Sequence, residues 1–153
     1  MKVPVLYIMG NDDWVELPEE KPLRSIHGHR VELGRFNFVG YQYTLPFMGG
    51  IFERPEAEIA NDLASLEHLV DERTVFVTHS PAKGTLDLGV LDNPAGSDSI
   101  RSLVERCSPR AHIHGHIHGC FGRAGRHFNV AAGAAMRAMV LDLDSMEHQI
   151  ISQ

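Results

Sequence analysis

At 153 residues, 43% hydrophobic and 22% charged, the chain can close one core and is too short for two full-sized ones. Fourteen Lys and Arg against 20 Asp and Glu give a formal net charge of −6, which argues against general nucleic-acid binding through a basic stripe. No apolar run is long enough to span a bilayer and no signal-like segment opens the chain, so no membrane partner is expected. Cys107 and Cys120 are too few for a disulfide framework and read as free thiols of a reducing, cytoplasmic setting.

In chain order, Val3 to Met9 is an apolar run predicting a strand, stopped by the turn composition Gly10-Asn11-Asp12-Asp13. His29 to Leu33 and Phe36 to Tyr43 alternate about Gly34-Arg35 and predict a β-hairpin. Thr44 to Arg54, with Pro46 and Gly49-Gly50, reads as a loop. Pro55 suits the first residue of a helix, with Glu56 and Glu58 near its positive end. Ile59, Leu63, Leu66 and Val70 give that helix one apolar stripe. Thr74 to Thr78 predicts a strand buried on both faces. His79 to Gly96 is a long loop, and long loops in compact domains tend to be functional. Ser97 is an acceptable N-cap for a second helix carrying Ile100, Leu103, Val104 and Cys107. Strands are expected over Arg110 to His114, Phe128 to Val130, Met136 to Leu143 and Glu147 to Ile151. Alanine-rich Val130 to Met139 suggests close packing near a site. The element order predicts a mixed α/β class with parallel and antiparallel pairings.

Ten histidines are present, four of them between His112 and His118. In Gly115-His116-Ile117-His118-Gly119, a His-x-His pair on extended backbone would put both imidazoles on one side. The flanking glycines would let the chain turn sharply. Neutral imidazole ligates zinc, iron, nickel or manganese. His112 and His114 lie inside the preceding strand and read as packed, hydrogen-bonded core residues. His79 directly follows a buried strand, where α/β sheets place their ligands. Asn11 and Asp12 follow another strand and offer oxygen donors, although such a turn taken alone is ordinary. Because each of these segments follows a strand, Asn11, His79, His116 and His118 are expected to meet on one sheet rim as a mixed N/O metal site.

These residues resemble the calcineurin-like metallophosphoesterases, in their small prokaryotic branch. That family carries, in order, Asp-x-His, Gly-Asp-x-x-Asp, Gly-Asn-His-Asp/Glu, a lone strand-end His, and Gly-His-x-His. Here Gly10-Asn11-Asp12-Asp13, His79 and Gly115-His116-Ile117-His118 match the last three. Ile26-His27-Gly28, Phe52 to Pro55 and Thr78 to Asp87 are also similar to that branch. The resemblance implies an αββα sandwich with mixed sheets, spanning residues 1–153 as one domain and N-terminally incomplete. It implies that Asn11, His79 and His116 bind one divalent metal (Mn, Fe, Zn or Ni) and His118 a second. Asn11 would also touch the substrate phosphate. It implies hydrolysis of a phosphorylated small molecule, monoester or diester, by metal-activated water. The alternative is a single-metal or non-catalytic binding domain on the same scaffold.

Two departures stand out. The first two motifs, about two βα units or ~60 residues, are absent. Homo-oligomerisation or completion by another chain is therefore expected, since an exposed sheet edge favours association. Asp12 stands where the family has a His that assists the leaving group; as a catalytic acid it would need a raised pKa.

Overall fold

A computed structural model describes residues 3–14 and 22–153. Its centre is a six-stranded sheet in the order β3 (Arg30–Leu33), β4 (Phe36–Tyr41), β5 (Thr74–Thr78), β6 (Ala111–His114), β8 (His127–Asn129) and β7 (Gly122–Ala124). The β3–β4 and β7–β8 pairs at its edges are antiparallel, and the interior pairs are parallel. β1 (Val5–Tyr7) pairs parallel with β2 (Leu23–Ser25) in a small separate sheet, and β9 (Arg137–Leu141) pairs antiparallel with β10 (His148–Ser152) in another.

Parallel register puts Val39, Phe76, His112 and His127 on one face of the central sheet. Val39 and Phe76 pack there against Ile59 and Leu63 of α1 (Glu56–Leu66) and Ile100, Leu103 and Val104 of α2 (Asp98–Cys107). The opposite face carries Val75, Ala111 and Phe128, covered by Met139, Leu141, Leu143 and Met146 from the C-terminal hairpin and its turn. Helices, sheet and hairpin thus form three layers, which explains why Thr74 to Thr78 is apolar on both sides.

The expected hairpin, both helices and the strand Thr74 to Thr78 are present. Pro55 stands one position earlier than expected, as the N-cap of α1, because its extended ψ of 149° cannot be helical. Ser97 caps α2, its hydroxyl accepting from the Ile100 N–H at 3.1 Å. The first strand is shorter than Val3 to Met9 and lies outside the central sheet. Its ladder still reaches that sheet, since Ile26 donates to Tyr7 and accepts from Gly40 of β4. Among the described residues no helix is long and apolar enough to cross a membrane, and both cysteines are free.

Candidate metal centre

Three segments distant in sequence meet at one point. Asn11 Oδ1 lies 2.5 Å from His79 Nε2 and 3.0 Å from His116 Nδ1. The two imidazole rings stand 4.9 Å apart at 66°.

The turn that presents Asn11 is tied by its own residues. Asp13 accepts from the Gly10 N–H at 2.7 Å and its own N–H returns to the Gly10 carbonyl. Asn11 Nδ2 donates to Asp12 Oδ1 at 3.0 Å. That bond decides which way the carboxamide points: nitrogen to Asp12, oxygen to the histidines. The Asp12 carboxylate also acts electrostatically on His116. Gly10 is required sterically, because a Cβ there would lie 2.7 Å from His79 Cε1.

His79 leaves the end of β5 with its N–H on the Tyr41 carbonyl and its C=O receiving the Gly115 N–H, so β4 and β6 both hold it. Burial, then the neighbouring His116 and His118, lower its pKa to about 4. Burial likewise lowers His116, with Asp12 opposing. Both rings are therefore neutral near pH 7; facing an acceptor oxygen, His79 Nε2 and His116 Nδ1 donate their N–H to Asn11, and an ion would take the lone pair each has in the other tautomer.

His116 corrects the expectation of an extended His-x-His. Its φ is +66° and the Ile117 N–H closes onto the Gly115 carbonyl at 2.8 Å, a γ-turn centred on the histidine. The flanking glycines do not take the sharp turn; His116 does, in a conformation that costs a non-glycine residue energy. The turn rotates His116 onto Asn11 and sends His118 into a following 3₁₀ turn, His118–Cys120. His118 is exposed and close enough to influence His79 and His116 electrostatically, but it makes no hydrogen bond to Asn11. Its ring lies beside Gly133, where a Cβ would approach within 3.3 Å, but the alanine-rich stretch 130–139 is mostly exposed, which corrects the expectation of close packing there.

His112 is a fully buried, hydrogen-bonded core residue, as expected. Thr78 donates its hydroxyl proton to the Ser80 carbonyl, so its oxygen accepts from Nε2–H of His112 at 2.8 Å. His112 Nδ1 then accepts from Nδ1–H of His127 at 2.9 Å. This relay braces the backbone on either side of His79. His114 is equally buried, yet its Nε2 has no hydrogen-bond partner among the described residues. Asp13, Thr78 and His127 were not singled out from sequence; only the Asp13 turn signal was available there.

Among the described residues no group of three or more His, Cys, Asp or Glu is arranged around one point to hold a metal. The convergence is of two imidazoles and an amide oxygen, a donor set that first-row divalent ions accept.

No family model matches the chain. Over 96 residues, 63% of its length, it is 30% identical to a probable rhamnogalacturonate lyase C of Emericella nidulans, of which it spans 8%. One solved structure superposes on 86% of this chain and 55% of its own, with a TM-score of 0.68 and 20% identity. TT1561 of Thermus thermophilus superposes on 86% of this chain and 60% of its own, with a TM-score of 0.58 and 16% identity. These matches establish a shared α/β fold. The chain spans little more than half of each solved structure and a small fraction of the curated relative.

Proposed function

We propose that this chain is a metal-dependent phosphoesterase domain of the metallophosphoesterase type, acting on a phosphorylated small molecule. The observation that carries the reading is the meeting of Asn11 Oδ1, His79 Nε2 and His116 Nδ1 within 3.0 Å, from three separate strand ends. Two neutral imidazoles and one oxygen suit manganese, iron, zinc or nickel, and His118 stands nearby for a second ion. A divalent ion in such a site supplies Lewis-acid charge to phosphoryl oxygens and an activated water. The chain's own residues do the rest. Burial keeps His79 and His116 neutral, so each would turn a ring-nitrogen lone pair to an ion in place of the N–H it donates to Asn11. Asp12 orients the Asn11 carboxamide and leaves its oxygen for the ion; contact with a substrate phosphate would fall to Nδ2, which would have to leave Asp12 to donate.

The test is metal content with hydrolysis of an activated aryl phosphodiester. The wild type is expected to take up Mn²⁺ and hydrolyse the diester, and His116→Ala to weaken Mn²⁺ binding at least ~10-fold. His148→Ala, on the C-terminal hairpin, should bind as the wild type does. Full stoichiometric metal in both variants would sink the assignment. A single-metal binding domain is the second reading, favoured by the exposure of His118 outside the Asn11 contacts. One equivalent of metal without hydrolysis would decide for it.

A further inference from the structure

The loop 44–54 borders the centre and has an internal clamp. One carboxylate, Glu53, accepts from the N–H groups of Phe47 and Met48 at 2.8 Å and Gly49 at 2.9 Å, while its own N–H bonds the Gly50 carbonyl. Burial would raise the Glu53 pKa, but these backbone donors prevail and lower it to about 2. The loop is closed at its base by Thr44, which donates to the Phe52 carbonyl and accepts from the Arg54 N–H.

The loop is also keyed to the centre at two points. Gly50 lies against the turn that carries Asn11, so close that a Cβ would sit 3.1 Å from the Asn11 carbonyl oxygen. The Phe47 ring stands perpendicular to the His116 ring at 6.1 Å. Despite this tight construction, the side chains it displays are apolar and face water: Phe47 is 65% exposed, Met48 78% and Ile51 60%. Trp14, three residues beyond Asn11, is 81% exposed. An ordered loop that spends a carboxylate and three backbone donors on presenting bare apolar groups beside a candidate centre marks a recognition surface.

We propose that Phe47, held in place by Glu53, is a specificity-determining residue that receives a flat aromatic group esterified to a phosphate that would sit on an ion held by Asn11, His79 and His116. This rests on the phosphoesterase reading and adds the chemistry of the organic group. The ring at 6.1 Å from His116 is within the range over which a group attached to a bound phosphate could make edge or offset contact. Met48 and Ile51 lie on the same short loop and extend the apolar surface, thioether and aromatic contacts being mutually favourable.

The test uses two non-hydrolysable anions with the same headgroup, phenylphosphonate and methylphosphonate, titrated calorimetrically into the Mn²⁺-loaded protein. The wild type should bind phenylphosphonate about fivefold more tightly, the range an aromatic pair contributes. Phe47→Ala should bring the ratio of the two affinities close to one, Phe47→Leu should leave it intermediate, and Phe47→Tyr should retain it. Glu53→Gln, which weakens the clamp, should also lower it. Equal affinities in the wild type, or an unchanged ratio in Phe47→Ala, would overturn this inference and leave the phosphoesterase reading standing. Binding of neither phosphonate would overturn both.

Discussion

Asn11 and His112 illustrate how a single side chain acquires its role from a neighbour. Asn11 presents oxygen to the histidines because Asp12 takes its nitrogen. His112 is neutral because burial, reinforced by His114 and His127, pushes its pKa well below the ordinary value of 6.5. His79 and His114 are lowered to about 4, by burial first in each case. The unfolded chain takes up protons at these rings near pH 6.5, whereas the folded protein resists until much lower pH. Their contribution to stability is therefore complete above the unfolded pKa and lost as pH falls through that window. In urea unfolding of the metal-free protein, the midpoint should fall between about pH 7 and about pH 5, and less steeply in His112→Gln. A midpoint independent of pH over that range would contradict this origin of acid sensitivity. At this scale the sequence was informative about residue type and silent about partners. The relay from His127 through His112 to Thr78 needs register between three strands, and no spacing along one strand encodes it.

Among the elements, those whose signals are local are the ones the sequence revealed. In α2, Ser97 caps the first turn, Asp98 favours the positive end, and the apolar residues recur at helical spacing. Ser97 also donates its hydroxyl proton to Glu56 of α1, which in turn accepts the Ser99 N–H, so one side chain joins two helices. Ser97→Ala should cost ~1 kcal/mol, read as a lower midpoint in urea with an unchanged slope. A loss below the error of that measurement would show the cap to be dispensable. β2 and β7 were not legible: each has three residues, Leu-Arg-Ser and Gly-Arg-Ala, too short to show alternation. They are strands because a neighbouring edge pairs with them, β1 in one case and β8 in the other. His116 was misread for a related reason. The motif suggested extended backbone, but the γ-turn forms where β6 ends and the chain must leave the sheet.

At the level of the whole molecule, the decisive contact is between the first described turn and the end of β5. Gly10 lies flush against the His79 ring, and this seats the β1 turn over the sheet although β1 itself belongs to another one. Gly10→Ala should displace either the ring or the turn and weaken Mn²⁺ binding several-fold, with circular dichroism unchanged. Wild-type affinity in that variant would mean that the turn is not seated against His79. Pattern along the chain by itself determined the α/β class, both helices, the β3–β4 hairpin, the doubly buried strand and the identity of the candidate donors. Periodicity, caps and turn residues are local, and these features depend on nothing else. Only the tertiary structure decided that Asn11, His79 and His116 share one point while His118 stands aside, and that Phe47 borders them. Those facts depend on which strand ends adjoin, on the hand of one strained turn, and on a glycine with no room for a methyl group, all of which exist only once the layers have packed.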